Sequence, residues 1–391
     1  MVNIKSKKLL DKKTNIVVAL SGGIDSVVLL HYLHNNFDNN IRAIHCNHHL
    51  SDNCGDWDKF CSDLCKSMNI EYLSIDIFLD NTSNFEEIAR KKRYKSLSSN
   101  LKQNEILCTA HHMEDQAETI LLQLLRGSGV AGLSSMPLEK KLNEGSLLRP
   151  FIDISKSQII DYAANNKLKW IEDDSNLNTD IRRNFLRIEI IPKLSKFYSE
   201  ISKSLSRSAR HQSQALKLIE DLALIDINTK KLIDLNNCIE IDKISKLNDY
   251  RIINIIRYHI RSIEFTPPSE KIMEQIMSLL FAKEDASPLV CWGSFEVRRY
   301  KNKMYFIDTK EEQNNMPCPF FEKLKDLPNL SIKYRHEGQR IKFDNKSHSQ
   351  SLKKILQEYG IPPWERDKIK MYYVGDKLKA IERIGEVSES P

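Results

Sequence analysis

Asn15-Ile16-Val17-Val18-Ala19-Leu20-Ser21-Gly22-Gly23-Ile24-Asp25-Ser26 decides the fold. The apolar run Ile16 to Leu20 has the length of a strand, two glycines follow after Ser21, and Ile24 to His34 then reads as a helix. A loop at the carboxyl end of a parallel strand is where open α/β sheets bind ligands. Gly22 and Gly23 let backbone N–H groups approach an anion, Ser21 and Ser26 add hydroxyl donors, and the helix adds its positive end. A phosphate therefore fits. Asp25 would repel a bare phosphate, so its presence implies a divalent ion between them. The competing reading is a Ser/Gly turn with Asp25 capping an ordinary helix. Neither GxxxxGK[ST] nor GxGxxG occurs, so the loop lacks the phosphate-gripping lysine of kinase-type loops and suits pyrophosphate as a leaving group.

The alternation continues outward. Strands are expected at Asn15 to Leu20, Ile41 to His45, Glu71 to Asp76 and Glu105 to Ala110. Helices are expected at Ile24 to His34, Trp57 to Ser67 and Phe85 to Ser98, the last capped by Ser83 or Asn84 with Glu86 and Glu87 in its first turn. A further helix runs from Glu114 to Arg126, where Arg126-Gly127-Ser128-Gly129 stops it, and another opens at the capping box of Ser155 and Gln158. This predicts an α/β fold with an open, mostly parallel sheet of Rossmann type over residues 1–195. After Pro192 the pattern turns helical, with one or two basic-faced helices over Leu194 to Ala223, then Asn248 to Arg261 and Ser269 to Phe281. Strand-like Leu289 to Tyr300 and Met304 to Ile307 close a mainly helical middle domain, 196–312. The polar linker Glu311 to Pro319 leads to a small α+β domain, 320–391.

Hydrophobic residues make up 41% of the 391 and charged residues 29%, which is globular composition and excludes a disordered chain. No apolar run approaches the roughly 18 to 20 residues that span a bilayer, and Met1 to Thr14 is too polar for a secretion signal. A cytoplasmic protein without a membrane partner is expected. The eight cysteines include no CxxC pair, so neither disulfides nor an iron–sulfur cluster is expected, and Cys61 and Cys65 read as core residues on one helix face. The net charge of +6 suits a polyanionic partner without proving one. Nothing in the sequence sets an oligomeric state, and a homodimer is admitted.

His111, His112 and Asp115 could be taken for metal ligands, but adjacent histidines do not converge easily on one ion. They read better as residues near phosphates or a base at a strand end, with Asp115 and Glu118 one turn apart on a single helix face. Asp173-Asp174-Ser175-Asn176 with Arg182, Arg183, Asn184 and Arg187 carries too much charge for a core and reads either as a capped surface turn or as a cleft. Glu87, Arg90, Lys91 and Tyr94 share a helix face that is either solvated and salt-bridged or functional.

Taken together, Ser21 to Ser26, Asn47-His48, His111 to Thr119, Arg126 to Gly129, Arg149-Pro150, Asp173 to Asn176 and Arg182 to Arg187 resemble the N-type ATP pyrophosphatases and, within them, the tRNA(Ile)-lysidine synthetase family. The resemblance implies an adenine-nucleotide α-hydrolase-like fold, ATP as a substrate, and magnesium held by Asp25 and Asp115. It implies nucleotide contacts at Ser21, Gly22, Gly23, Asp25, Ser26, His45 and Gly127, and catalytic roles for Asp25, His112, Asp115, Glu118 and Arg183. Arg90, Arg93, Tyr94 and Arg187 would border the RNA. Coverage extends to Ser351-Leu352-Lys353-Lys354-Ile355-Leu356 and Ile361-Pro362-Pro363-Trp364-Glu365-Arg366-Asp367, which implies RNA contacts at Lys353, Trp364 and Arg366. Gly338-Gln339-Arg340 departs from the family's Gly-Asp-Arg, and no tryptophan stands near the chain end.

The implied partners are the tRNA(Ile) with a CAU anticodon and L-lysine, joined at C2 of cytidine 34 after ATP adenylates the base. Asp115 or Glu118 would bind the lysine ammonium and take its proton, although Glu118 could instead anchor Arg126. Cytidine 2-thiolation is the alternative reaction, disfavoured by the missing CxxC. A non-catalytic RNA-binding scaffold is the alternative class, disfavoured by the acids.

Overall fold

Ile16, Val17 and Val18 are all fully buried, which is how a strand covered on both faces is written in sequence. In this computed structural model the described residues are 2, 4, 8–10, 14–47, 49, 54–78, 85–142, 145–173, 177–234, 238–283, 288–310, 324, 327–336, 338–341 and 349–387. The Ser83 and Asn84 caps, the side chains of Glu86 and Glu87, His48, the run Asp174 to Asn176 and the linker Glu311 to Pro319 lie outside them.

Strands and helices alternate as β1 (Asn15–Ala19), α1 (Ile24–Asn36), β2 (Ile41–Asn47), α2 (Cys54–Ser67), β3 (Glu71–Asp76), α3 (Phe85–Ser99) and β4 (Glu105–Cys108). Next come α4 (Met113–Leu125), α5 (Val130–Leu133), the antiparallel β5 (Glu139–Lys141) and β6 (Ser146–Leu148), α6 (Lys156–Asn165) and α7 (Arg182–Phe185). The sheet order is β3-β2-β1-β4-β6-β5, and every pair except β5 with β6 is parallel. The expected open, mostly parallel sheet is therefore present, with the added edge hairpin that its short strands did not announce.

Side chains alternate across β1. Ile16 and Val18 join one core with Val27, Leu30, Cys61, Cys65 and Ile159, while Val17 joins the other with Ile44, Leu97 and Leu107. Helices α1, α2 and α6 thus cover one face and α3 the other. Cys61 and Cys65 are fully buried core residues, as their spacing suggested.

Backbone packing divides the chain into two compact units, Met1–Ile219 and Glu220–Pro391. The division falls inside α9 (Ile201–Lys230), which follows a π-helical turn, Leu186–Ile190, and α8 (Ile191–Ser195). Leu194 to Ala223 therefore holds most of one long helix, which starts at Ile201 and runs on to Lys230. The second unit contains two cores. Around the first, α10 (Ile241–Ile244), α11 (Asp249–Ser262) and α12 (Glu270–Ser278) pack against a sheet of order β7-β10-β9-β8. Its strands are β7 (Ile239–Glu240), β8 (Leu289–Trp292), β9 (Phe295–Tyr300) and β10 (Lys303–Asp308). Gly293, at φ +59°, breaks the single strand expected over Leu289 to Tyr300 into the hairpin β8 and β9. The second core lies between helix Leu352–Glu358 and a sheet of order β11-β14-β15-β16, formed by β11 (Leu330–Tyr334), β14 (Lys370–Val374), β15 (Lys377–Ile381) and β16 (Gly385–Glu386), with β12 (Arg340–Ile341) pairing β13 (Gln350–Ser351) beside it.

Within this unit Trp364 meets Tyr300 and Tyr305 edge-on, at 6.1 and 5.4 Å between ring centroids, and the Arg298 guanidinium lies 5.1 Å over its ring. Arg366 is buried and donates to the Ile361 carbonyl at 2.9 Å and the Tyr300 hydroxyl at 3.0 Å. These two residues, expected to touch RNA, are placed in a packing seam. An aromatic followed by a basic residue looks the same in sequence whether it faces solvent or a neighbouring sheet. Lys353 stands exposed on the helix surface. Trp364→Ala should cost the second unit about 2 kcal/mol, because the half-buried ring loses its packing on Tyr300, Tyr305 and Arg298. Urea unfolding of the full chain measures this, and a loss below 0.5 kcal/mol would contradict the seam.

Candidate active site

From β1 the chain crosses to β2 on one side, while β4 pairs with β1 on the other. The carboxyl ends of β1 and β4 thus flank the point where strand order reverses, which leaves a crevice between the loops that follow them. A cavity of about 540 Å³ opens there, lined by Ser21, Asp25, Ser26, His45, His111 and Asp115 among others.

The loop after β1 closes on itself through Ser26. The Ser26 hydroxyl accepts from the Ser21 backbone N–H at 3.1 Å, lies 3.1 Å from the Ser21 hydroxyl and donates to the Gly23 carbonyl at 2.9 Å. Gly22 has φ +84°, a conformation that favours glycine, and a Cβ there would also press on the end of the Ile171 side chain at 2.9 Å. Gly23 caps α1 without any side-chain hydrogen bond. The first-turn N–H groups are thus left for an anion. Asp25 does not cap the helix. Its Oδ1 receives the Lys156 ammonium at 2.6 Å.

Across the crevice His112 begins α4. Its backbone N–H donates to Asp115 Oδ2 at 2.9 Å, its Nδ1 is bonded to Glu114 Oε2 at 2.9 Å, and its Nε2 lies 3.8 Å from Asp25 and 3.5 Å from Asp115. Burial alone would push the His112 pKa down, but the Glu114 hydrogen bond and the carboxylates of Asp115 and Asp25 outweigh it and raise the pKa. Burial acts against ionised Asp115 as well. It is overcome by His112, Arg183 and His111, which hold the carboxyl well below the usual range.

Beneath them Glu118 is fully buried. Arg183 Nε donates to Glu118 Oε2 at 2.5 Å, and Arg187 Nε donates to Oε1 at 2.6 Å. Arg183 also reaches Asp115 Oδ1 at 2.9 Å. Glu118 therefore anchors Arg183 and Arg187, not Arg126. Arg187 sits on the π-helical turn, a distortion that recurs at functional sites. Asn184 donates to the Asn178 carbonyl at 2.9 Å and fixes the turn before it.

His45 is buried on β2 with its Nδ1 2.9 Å from the Leu20 carbonyl. A carbonyl can only accept, so Nδ1 carries the proton. Arg93 and Tyr94 line the cavity, and the guanidiniums of Arg90 and Arg93 lie 5.7 and 5.6 Å from the Tyr94 ring. Gly127 is placed elsewhere. At φ +69° it ends α4 through a bond from its N–H to the Leu124 carbonyl, and a 13-residue helix puts it about 20 Å from the cavity end. The sequence reading missed Glu114 and Lys156. Lys156 left one signal: a lysine at the first residue of a helix opposes the helix dipole, so its placement needs another reason.

A magnesium ion fits the donor set. Asp25 and Asp115 flank one imidazole nitrogen at the phosphate loop, and magnesium takes one or two carboxylates plus phosphate oxygens and water. Among the described residues no group of three or more candidate ligands could hold an ion without a substrate.

Fold and loop together define an ATP-binding PP-loop domain, and the family model of that description matches residues 1–194. Models described as the TilS substrate binding domain and the TilS substrate C-terminal domain match residues 240–305 and 330–390. The tRNA(Ile)-lysidine synthase of Coxiella burnetii is 36% identical over 403 residues, covering 95% of this chain and 89% of that one. Those of Legionella pneumophila (strain Paris) and Haemophilus influenzae (strain PittGG) are 34% and 33% identical, covering 94% and 96% of this chain and 90% and 96% of theirs. The chain belongs to the tRNA(Ile)-lysidine synthase family. No helix among the described residues is long and apolar enough to cross a membrane.

His111 gives the site an acid sensitivity. Burial first, then Arg149, Arg93 and Arg183, lower its pKa to about 3. Between pH 6.5 and 3 the unfolded chain takes up a proton that the folded chain refuses, so stability falls as pH falls, by up to about 1.4 kcal/mol per pH unit. Asp115 adds to the loss below about pH 3.9. His112 acts oppositely, since its stabilisation is present below pH 6.5 and lost as pH rises through its raised folded value. Urea unfolding of His111→Asn between pH 6 and pH 4 should give a flatter pH dependence than the wild type, and an unchanged slope would refute the assignment.

Proposed function

We propose that this chain, an ATP-dependent ligase, joins L-lysine to C2 of cytidine 34 in the CAU anticodon of tRNA(Ile), converting codon specificity from AUG to AUA. The observation that carries the reading is the convergence of the glycine loop, Asp25, His112 and Asp115 at the strand-order reversal of the sheet. The thiolation alternative gives way, because two models described as TilS domains and the lysidine synthases above match this chain.

A cytosine C2 oxygen is a poor leaving group. Attack of that oxygen on the ATP α-phosphate releases pyrophosphate and makes the oxygen part of an AMP leaving group, after which the lysine ε-amine adds at C2 and expels AMP. The Ser21 to Ser26 backbone and hydroxyls hold the departing phosphates. Bound magnesium would supply Lewis-acid neutralisation of phosphate charge through Asp25 and Asp115. The incoming ammonium, with a solution pKa of about 10.4, must lose a proton before it attacks. Both Glu118 oxygens are committed to guanidiniums, and Asp115 is held well below the usual carboxylate range. Asp115 suits an electrostatic seat for the ammonium, Glu118 instead holds Arg183 and Arg187 in place, and the neutral form of His112, made more basic by its carboxylate neighbours, takes the proton. Arg93 and Tyr94 offer the base and its phosphate a cationic, aromatic wall.

Incubating the protein with ATP, magnesium, labelled L-lysine and the CAU-anticodon isoleucine transcript should place label on a single cytidine, found as lysidine by mass spectrometry. The elongator methionine tRNA should stay unlabelled. Thiolated cytidine formed from a sulfide source, with no lysine incorporated, would end the reading. Asp25→Asn should melt as the wild type does and lose about a hundredfold or more in turnover. Wild-type turnover at ordinary magnesium would remove the metal assignment.

A further inference from the structure

The glycine loop has no lysine of its own, yet an ammonium stands beside it. Lys156 lies 131 residues from Asp25 in sequence, and its Nζ is 2.6 Å from Asp25 Oδ1. The Lys156 backbone N–H donates at 2.9 Å to Glu114 Oε2, the oxygen that also bonds His112 Nδ1. Main chain and side chain are thus tied to opposite walls of the crevice. Within α6 the placement is unfavourable, because a positive charge at a helix start opposes the dipole. The ion pair with Asp25 offsets that cost.

Asp25 is also the carboxylate that loop chemistry assigns to a divalent ion. Magnesium binds oxygen at about 2.0 to 2.1 Å and would share that small carboxylate with an ammonium at contact distance. The two cations repel each other, and the ammonium's charge beside Asp25 Oδ1 weakens that carboxylate's hold on a metal. Moving the ammonium onto the incoming phosphate charge relieves that repulsion. The Lys156 side chain is 35% exposed, and its four-carbon stem is flexible enough to yield.

We infer that Lys156 is a positioning residue that holds the cation seat on Asp25 until nucleotide arrives, then cedes it to the divalent ion carried in with ATP while its ammonium passes to the phosphate oxygens. This rests on the ATP reading above. The metal then enters with the nucleotide and not before it, and the lysine missing from the loop is supplied by α6.

Manganese binding to the full-length protein, followed by the loss of the free-ion electron paramagnetic resonance signal, tests this without turnover. In the absence of nucleotide, Lys156→Met and Lys156→Gln should each bind manganese at least tenfold tighter than wild type. Adding Asp25→Asn to either should abolish that gain, which places the ion on Asp25. Lys156→Arg, which keeps a cation, should hold manganese out as the wild type does. With ATP present, KM for ATP should rise at least tenfold in the Met and Gln variants and much less in the Arg variant. If a folded Met or Gln variant binds manganese no tighter than wild type, or the gain survives loss of Asp25, the exchange is refuted. Wild-type ATP binding, measured separately, distinguishes this from failure of the ATP reading itself, which would show as no nucleotide binding at all.

Discussion

Glu118 carries a negative charge with no solvent exposure, and the rest of the site is arranged around that fact. A buried carboxylate is tolerated only when its charge is paired and its lone pairs are filled. Arg183 and Arg187 do both, and because they lie on α7 and the π-helical turn they pin that segment to α4. Arg183 continues to Asp115, whose other oxygen takes the His112 N–H, and His112 leads through Glu114 to Lys156 and so to Asp25. A continuous chain of charge-assisted contacts therefore runs from a residue buried beneath the cleft to the phosphate loop. Removing one partner would leave an uncompensated charge, so the positions of the reacting groups follow from a requirement of burial.

The sheet supplies the second constraint. Parallel strands place successive loops at one edge, and the reversal of order at β1 opens a gap between the loops after β1 and β4. Buried Arg42 and Glu105, paired at 2.8 and 2.6 Å, join β2 to β4 near the starts of those strands. The crevice is thus held between elements fixed at both ends.

Much of this was legible in sequence. The apolar run into Ser21-Gly22-Gly23 fixed strand, loop and helix because each has a local cause, and Asp115 and Glu118 were assigned to one helix face by spacing alone. What local pattern could not supply was pairing over long separations. The partner of Asp25 is 131 residues away, and those of Glu118 are 65 and 69 away. The packing of Trp364 and Arg366 was hidden for the same reason, since the tyrosines they meet lie on strands outside their own motif. Gly127 ends a helix in sequence and in structure, and only the helix length shows how far it stands from the nucleotide cavity. The alternation of Leu289 to Tyr300 suggested one strand because the turn at Gly293 interrupts it by only two residues.

The chemistry assigned to the site turns on the C2 oxygen of cytidine 34 leaving as part of AMP. Isotopic labelling follows that oxygen directly. A tRNA(Ile) carrying oxygen-18 at C2 of cytidine 34, taken through one turnover with ATP and L-lysine, should yield AMP bearing the heavy oxygen on its phosphate, with none in pyrophosphate. Heavy oxygen retained in the tRNA or released as water while lysine is incorporated would mean that the base is not adenylated, and would contradict the mechanism built on the loop, Asp25 and Asp115.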